Sequence, residues 1–227
     1  MSWFHLICKI AGIKEIYSYP LLKKERLHLV HAAKTFTEKV LKIENCPTNT
    51  KFIISNEKKS RIINSIDESK YNIIIGAGSS GPSTKWGVLN YSNLINKLNE
   101  NGNYFFYILC GPEEKNISNE IIGKIKKMNC ISLDSKSISE LLPYLCLSDM
   151  YVGNDSFGHH VISQSGKPCL ILMLDTPKAY SDYSPNQYRI LPDGADLEKI
   201  DHESSYDKES ISVKKVYNNI LKIKKLA

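Results

Sequence analysis

Arginine is scarce in this sequence. Of its 30 basic residues only three are arginines, Arg26, Arg61 and Arg189, and the rest are lysines. Proteins that read nucleic-acid bases favour arginine, because its planar guanidinium forms two parallel hydrogen bonds with a base edge. The net charge of +6 at pH 7 is therefore not by itself a sign of nucleic-acid binding, and we expect no nucleic-acid partner.

Closely spaced cysteines are also absent. The nearest two of the six, Cys130 and Cys146, are 16 residues apart, so the sequence has no CxxC pair for zinc or redox chemistry. Cys110, Cys130 and Cys169 lie in or beside apolar runs, which is typical of buried thiols in a reducing compartment. The six histidines are scattered along the chain, and we expect no metal site.

Long hydrophobic runs are missing as well. No stretch approaches the roughly 18 apolar residues that a membrane span needs. The apolar start at residues 1–13 is interrupted by Lys9 and lacks the basic flank and cleavage site of a signal peptide. We therefore expect a cytoplasmic protein. Any contact with a membrane is expected at the cytoplasmic face of that membrane.

From residue 71 onward, strand and helix patterns alternate. Short apolar runs predict strands at 71–76, 104–110, 130–133, 150–153 and 168–174, and helical spacing predicts helices at 88–100, 116–128, 138–147, 157–165 and 213–226. This alternation predicts an α/β fold, a parallel sheet with helices on both faces. Residues 1–70 lack it, and the polar segment 57–70 is expected to link two lobes. We therefore expect a boundary between residues 1–70 and 71–227.

Three loops with unusual residues follow predicted strands. They are residues 76–87 (GAGSSGPSTKWG), 111–115 (GPEEK) and 153–160 (GNDSFGHH). Ligands of open parallel α/β sheets bind beyond the carboxyl ends of the strands. If these strands are neighbours, the three loops form a binding site.

The first loop contains a G-x-G-x-x-G pattern from Gly76 through Gly78 to Gly81, which indicates NAD or FAD binding when a helix follows at once. Pro82 stands where that helix would begin, and the next acids come later than the roughly 20 residues expected. An NAD-dependent oxidoreductase stays an alternative. Pro82-Ser83 also replaces the Lys-Ser/Thr of a P-loop. The backbone amides and the nearby Lys85 still suit a phosphate.

The third loop predicts an anion site at a helix start. Asp155 and Ser156 are typical caps of the following helix, whose first amides would then face an anion. His160 is one turn after Ser156 and is placed to reach a phosphate or leaving group. His159 we interpret as an ordinary surface or core histidine. No G-x-S-x-G elbow supports hydrolase chemistry.

Taken together, these segments resemble glycosyltransferase family 9, the ADP-heptose:lipopolysaccharide heptosyltransferases and their relatives. The resemblance covers residues 71–177 and rests on GAGSSGPSTKW, then CGPEE, then SISELLPYLCLSDMYVGNDSFGHHVISQSGKPCLILM. Its GND-S…H…GKP part is specific, whereas the glycine loop alone is not.

The resemblance implies a GT-B fold, in which two Rossmann-like lobes enclose a cleft and the C-terminal lobe binds a nucleotide-sugar. It implies inverting transfer of heptose from ADP-heptose to a lipopolysaccharide core or related glycan, without an obligatory metal or cofactor. By position, Lys85 matches the lysine that contacts the donor diphosphate, and Glu113 or Glu114 matches the acid that holds the ribose. The other donor-binding positions lie in the glycine loop and the diphosphate-binding turn: Gly76, Gly78, Asp155, Ser156 and His160.

The sequence departs from the family pattern in two ways. Phe157 stands where the family usually has glycine. Residues 1–70 resemble only the last part of the acceptor lobe, through residues 10–19 (IAGIKEIYSY), so no residue matches the acid taken as the general base. We therefore expect a truncated homologue, a gene fragment or half of a split enzyme, which a separate N-terminal lobe could complement. The alternative is a catalytically inactive nucleotide-sugar-binding module.

Overall fold

The computed structural model describes residues 3–17, 29–63, 65–81 and 85–226. The chain divides into two compact units, Met1–Thr48 and Asn49–Ala227. The boundary expected near residue 70 lies within the second unit. The polar segment before residue 70 is not a linker, because it contains part of a helix and the buried Ile62 and Ile66.

The first unit contains two helices, α1 (Trp3–Ile10) and α2 (Leu29–Leu41). Neither has a buried residue, and the aromatic side chains of Trp3 and Phe4 are each 79% exposed. Residues 18 and 19, the end of the segment that resembles an acceptor lobe, lie outside the described residues. The assignment of residues 1–70 to such a lobe stays a prediction.

The second unit is built on a six-stranded sheet in which all paired strands are parallel. The strands are β1 (Tyr71–Gly76), β2 (Tyr104–Leu109), β3 (Cys130–Ser132), β4 (Met150–Asn154), β5 (Cys169–Leu172) and β6 (Gln187–Ile190). The helices are α3 (Asn56–Ile63), α4 (Val88–Glu100), α5 (Lys115–Gly123), α6 (Ile138–Leu147), α7 (Phe157–Gln164) and α8 (Val213–Lys224). The predicted parallel α/β fold is confirmed.

The core forms two layers because successive side chains of a strand point to opposite faces. In β1, Ile73 and Ile75 belong to the apolar cluster that includes residues of α4 and α8, whereas Ile74 belongs to the cluster that includes residues of α3, α6 and α7. All three isoleucines are completely buried. A strand buried on both faces has no polar alternation, which explains its continuous apolar run.

The strand order is β3-β2-β1-β4-β5-β6. β1 therefore pairs with β2 on one side and with β4 on the other, and the chain changes direction across the sheet between them. In open α/β sheets such a switch point opens a crevice at the carboxyl ends of the two strands. Here the crevice lies beyond Gly76 and Gly153, which are direct partners in the β1–β4 register.

Among the described elements from residue 71 onward, α5 and β6 are the α-helix and the strand that differ from the sequence prediction by more than two residues. Helix α5 ends at Gly123 instead of residue 128. Just after its end, Asn96 of α4 accepts a hydrogen bond from the Lys126 amide and donates one to the Lys124 carbonyl. A side chain from another helix thus satisfies the backbone at this end. The edge strand β6 was not predicted, because it is only four residues long and half-exposed at its centre. None of the described helices is long and apolar enough to span a bilayer.

Candidate functional site

The loops after β1 and β2 meet at a partly buried ion pair. Lys85 Nζ lies 2.6 Å from Glu114 Oε1. The same Oε1 accepts a hydrogen bond from the Ser79 amide at 3.1 Å, and Oε2 accepts one from the Gly111 amide at 3.0 Å. We call these four residues the Lys85–Glu114 cluster. It joins two of the three loops that the sequence predicted to converge.

The Glu114 carboxylate is held in its charged form. Burial alone would raise its pKa, but the hydrogen bonds from Lys85, Gly111 and Ser79 outweigh burial and keep the pKa below the usual value. A Cβ on Gly78 would overlap Glu114 Oε2, so glycine is needed there to admit the carboxylate. The neighbouring Glu113 is exposed and lies outside the cluster.

Lys85 is positioned by the residue that follows it. Trp86 is completely buried; its indole donates to the Ile211 carbonyl at 2.7 Å and its amide donates to Asn154 Oδ1 at 3.2 Å. Asn154 also accepts a hydrogen bond from the Tyr91 hydroxyl at 2.9 Å and donates one to the Ala77 carbonyl at 2.9 Å. Asn154 therefore ties the end of β4 to both ends of the first loop. This role of Asn154 was not predicted, although a polar residue at the end of an apolar strand indicates one.

The glycines at the switch point allow a close approach of two strands. A Cβ on Gly153 would overlap the backbone of Gly76, and a Cβ on Gly76 would overlap the hydroxyl of Tyr151. That hydroxyl donates to the Asn154 carbonyl at 2.6 Å and lies 3.0 Å from Ser156 Oγ. The expected donor-binding position Gly76 thus has a packing function in the fold.

Helix α7 has no side-chain cap at its N-terminus. Ser156 is the N-cap residue, but its side chain accepts no hydrogen bond from a helix amide. The expected cap by this residue is therefore wrong in its hydrogen bonding, because the hydroxyl lies beside Tyr151 instead. The first amides of a helix carry partial positive charge and have no intrahelical partner. The turn after β4 thus retains the anion-attracting end that the sequence predicted.

A second cluster follows this turn and consists of Asp155, His159 and His160, which we call the Asp155–histidine cluster. Asp155 Oδ1 lies 2.7 Å from His159 Nδ1 and 3.5 Å from His160 Nε2. His159 is completely buried and Asp155 is largely buried. His159, which was interpreted as an ordinary surface or core histidine, lies in the core and contacts Asp155.

The tautomer of His159 follows from its other neighbour. Gln187 Oε1 accepts hydrogen bonds from the amides of Tyr183 and Ser184, so the Gln187 side-chain nitrogen is the group that faces His159 Nε2, at 2.7 Å. That nitrogen is a donor, which makes His159 Nε2 the acceptor. The proton of the neutral ring is therefore on Nδ1, where it faces Asp155.

His160 is uncharged at neutral pH. Burial and the neighbouring His159 lower its pKa to about 4, and Asp155 only partly opposes them. Its Nδ1 forms a hydrogen bond with the Tyr183 hydroxyl. The ring is partly exposed, and its Nε2 is the atom nearer to Asp155.

The Asp155–histidine cluster is the set of described side chains that comes nearest to a metal site, with three ligand atoms within 4.8 Å of one another. The hydrogen bonding argues against metal binding there. A metal ligand needs a lone pair on His159 Nδ1, but the donor at Gln187 places the proton on that atom. These residues therefore do not fit a metal ion well.

An open cleft of about 320 Å³ lies beside Lys85. Its other lining residues come from Leu174 and from the segment before α8, including Tyr206 and Lys208. Pro82 and Ser83, on which the sequence arguments against a dinucleotide site and a P-loop rested, lie outside the described residues. Helix α4 begins only at Val88, and residues 85–87 before it are not helical.

A sequence model of the family described as glycosyltransferase family 9 (heptosyltransferase) matches residues 14–208. The chain belongs to glycosyltransferase family 9. The resemblance seen in residues 71–177 is thereby confirmed, and it extends over most of the chain. Among curated proteins, no sequence match is significant.

Solved structures share the fold of this family 9 chain. E. coli ADP-heptose LPS heptosyltransferase II is 21% identical with a TM-score of 0.60, and covers 78% of this chain. A glycosyltransferase family 9 protein from Veillonella parvula is 16% identical over 89% of the chain, with a TM-score of 0.69. E. coli heptosyltransferase WaaC with ADP is 14% identical over 87%, with a TM-score of 0.65. The fold is thus of the GT-B type, as expected.

The family 9 chain is shorter than these structures. It spans 54%, 61% and 57% of their respective lengths. The site at the carboxyl edge of the sheet lies in the second unit, Asn49–Ala227. Of the positions expected to bind a donor, the structure brings Lys85 and Glu114 together and places Asp155 beside His160, whereas Glu113 lies outside both clusters.

Proposed function

We propose that the second unit, Asn49–Ala227, binds the nucleotide-sugar donor of a heptosyl transfer, and that this donor is ADP-heptose. The observation that carries the proposal is the position of the two clusters. Lys85 follows β1, Glu114 follows β2 and Asp155 follows β4, all at the carboxyl edge beside the switch point. That edge is where open α/β sheets bind their ligands.

The charges there suit a departing diphosphate. Glycosyl transfer develops negative charge on the leaving group, and preorganised positive groups stabilise that charge as it grows. Lys85 supplies a full charge, and the amides at the start of α7 supply partial charges without a side-chain cap. We propose that these groups are sufficient for donor binding without an obligatory metal.

Two acids are candidates for the ribose hydroxyls. Glu114 is oriented by three donors and lies in the site, whereas Glu113 is the next residue towards solvent. We propose Glu114, because a fixed carboxylate loses less conformational entropy on binding. The solved WaaC structure contains ADP, which supports adenine as the base.

We place the acceptor site outside the second unit. Inversion needs a general base near the acceptor hydroxyl. We propose that this base and the contacts with a lipopolysaccharide core or related glycan belong to an acceptor lobe, and that transfer takes place at the cytoplasmic face of the inner membrane. The second unit alone would then bind the donor without transferring its sugar.

A thermal-shift panel tests donor binding. The purified chain is heated with ADP, GDP, UDP or NAD in buffer that contains EDTA. A ligand that binds only the folded state at a hundredfold excess over its Kd stabilises it by about 2.7 kcal/mol. We expect stabilisation by ADP. Stabilisation by NAD alone would instead support the oxidoreductase alternative. The start of α4 at Val88 does not favour that alternative, because the helix of a dinucleotide-binding site begins within the glycine pattern.

A further inference from the structure

We propose that His159 is a positioning residue for the donor site: it holds the Asp155 carboxylate at the turn that begins α7, and is itself held by Gln187 from β6. This inference rests on the proposed function, because it concerns how the donor diphosphate is received. His159 occupies a position that the family pattern leaves open, between Ser156 and His160.

The first support is the position of the imidazole proton of His159, which is on the nitrogen that faces Asp155. The amide group of Gln187 fixes the Nδ1–H tautomer of His159, and Nδ1 lies 2.7 Å from Asp155 Oδ1. Because His159 is one helical turn after Asp155 and completely buried, its ring has little freedom to turn away.

The second support is the hydrogen bonding of the two atoms that face each other. Asp155 Oδ1 and His159 Nδ1 are both buried, and neither has an aligned hydrogen bond within the described residues. Buried polar atoms are nearly always paired. The 2.7 Å separation is within hydrogen-bonding distance, so only the alignment of the two groups is missing for a bond between them.

The electrostatics explain why the carboxylate must be held. A carboxylate that turned towards the diphosphate would repel it, while the uncapped amides of α7 attract it. With its Nδ1–H beside Oδ1, His159 attracts the Asp155 carboxylate and so opposes its turning towards the diphosphate. The diphosphate then meets the amides and not the carboxylate.

Paired substitutions of His159 test this role. His159→Asn keeps a donor nitrogen near the Nδ1 position, whereas His159→Leu removes it at similar size. We expect ADP to bind about tenfold more weakly to His159→Leu, since the donor group that faces the charged Asp155 is lost. We expect nearly unchanged affinity for His159→Asn. Should His159→Leu fail to fold, His159→Gln places its amide nearer to the Nε2 position and serves in its place.

A double-mutant cycle separates positioning from general support of the fold. If His159 acts through Asp155, His159→Leu has no further effect on ADP affinity in an Asp155→Ala background. Adenosine, which lacks the diphosphate, should bind equally to the wild type and to His159→Leu. Additive losses in the cycle, or an equal loss for ADP and adenosine, would overturn the inference.

Failure of this inference can be told from failure of the proposed function. Wild-type protein that does not bind ADP contradicts the proposed function. Wild-type protein that binds ADP with the same affinity as His159→Leu contradicts only the role of His159. The histidine control is His202→Asn, because that side chain contacts Tyr180 and lies outside both clusters.

Discussion

The two clusters at the carboxyl edge of the sheet differ in how their charges are satisfied. In the Lys85–Glu114 cluster, a cation and two backbone amides converge on one carboxylate. In the Asp155–histidine cluster, a largely buried carboxylate faces two imidazoles, and the buried Oδ1 has no aligned hydrogen bond in the described part of the chain. The carboxylate of the first cluster is thus fully paired, whereas the second cluster adjoins a helix N-terminus that has no side-chain cap.

The largest effect is expected from separating the clusters. In Gly153→Ala the new Cβ overlaps the backbone of Gly76, so β4 must move away from β1. We expect a loss of about 3 kcal/mol or more in the free energy of unfolding, measured by urea denaturation, because backbone cannot yield as a side chain does. Gly123→Ala is the control, since nothing lies within 4 Å of its added Cβ. Equal stability of the two variants would contradict the close approach of these strands.

Removing the cation should weaken the first cluster alone. Lys85→Ala deletes the charge that we assign to the diphosphate, and we expect ADP affinity to fall about tenfold or more, because a hydrogen bond to a charged group is lost. Isothermal titration calorimetry measures the change. Lys127→Ala removes the same charge from an exposed position before β3 and should bind ADP like the wild type. A similar loss in both variants would reduce Lys85 to a contributor of net charge.

The pH dependence of stability distinguishes Glu114 from Glu113. The folded-state pKa of Glu114 lies below its usual value of 4.5, so its ionised form stabilises the fold above that pH. This contribution is lost as pH falls through the folded pKa. We expect the free energy of unfolding to fall less between pH 5 and 3 in Glu114→Gln than in the wild type, with Glu113→Gln retaining the wild-type slope. Equal slopes for the wild type and both variants would show that ionised Glu114 does not stabilise the fold.

The smallest effect is expected at Phe157, beside the second cluster. Its φ is not positive, since Lys42 and Asn45 are the non-glycine residues with positive φ among those described. The ring is 43% exposed. Glycine is therefore not required by the backbone, and Phe157→Gly should cost about 0.5–1 kcal/mol in the free energy of unfolding through chain entropy. A rise of tenfold or more in ADP affinity would show instead that the ring blocks the site.

The predictable parts of the fold were those with local causes. β1, α4 and α6 have the predicted bounds, because doubly buried strands need unbroken apolar runs and amphipathic helices need a 3.6-residue spacing. The end of α5 depends on Asn96, about 30 residues earlier, and β6 depends on pairing with β5. Such tertiary causes leave no pattern within the segment.

The site shows the same division. The contact of Asp155 with His159 follows the four-residue spacing of a helix and was within reach of sequence reasoning. The partner of His159 on its other side, Gln187, is 28 residues away and became visible only through the position of β6. The choice between Glu113 and Glu114 likewise required the pairing of β1 with β2, which brings Ser79 to one of them.

The central position of β1 has a consequence for synthesis on the ribosome. Its Gly76 must pair with Gly153, 77 residues later, so at about 5–20 residues per second β1 is made roughly 4–15 s before its second neighbour. Throughout that interval one edge of a strand that contains Ile73, Ile74 and Ile75 has no native partner. High contact order of this kind slows folding and exposes nascent chains to aggregation. The strand order therefore predicts that chaperone binding to the nascent chain decreases once β4 has emerged.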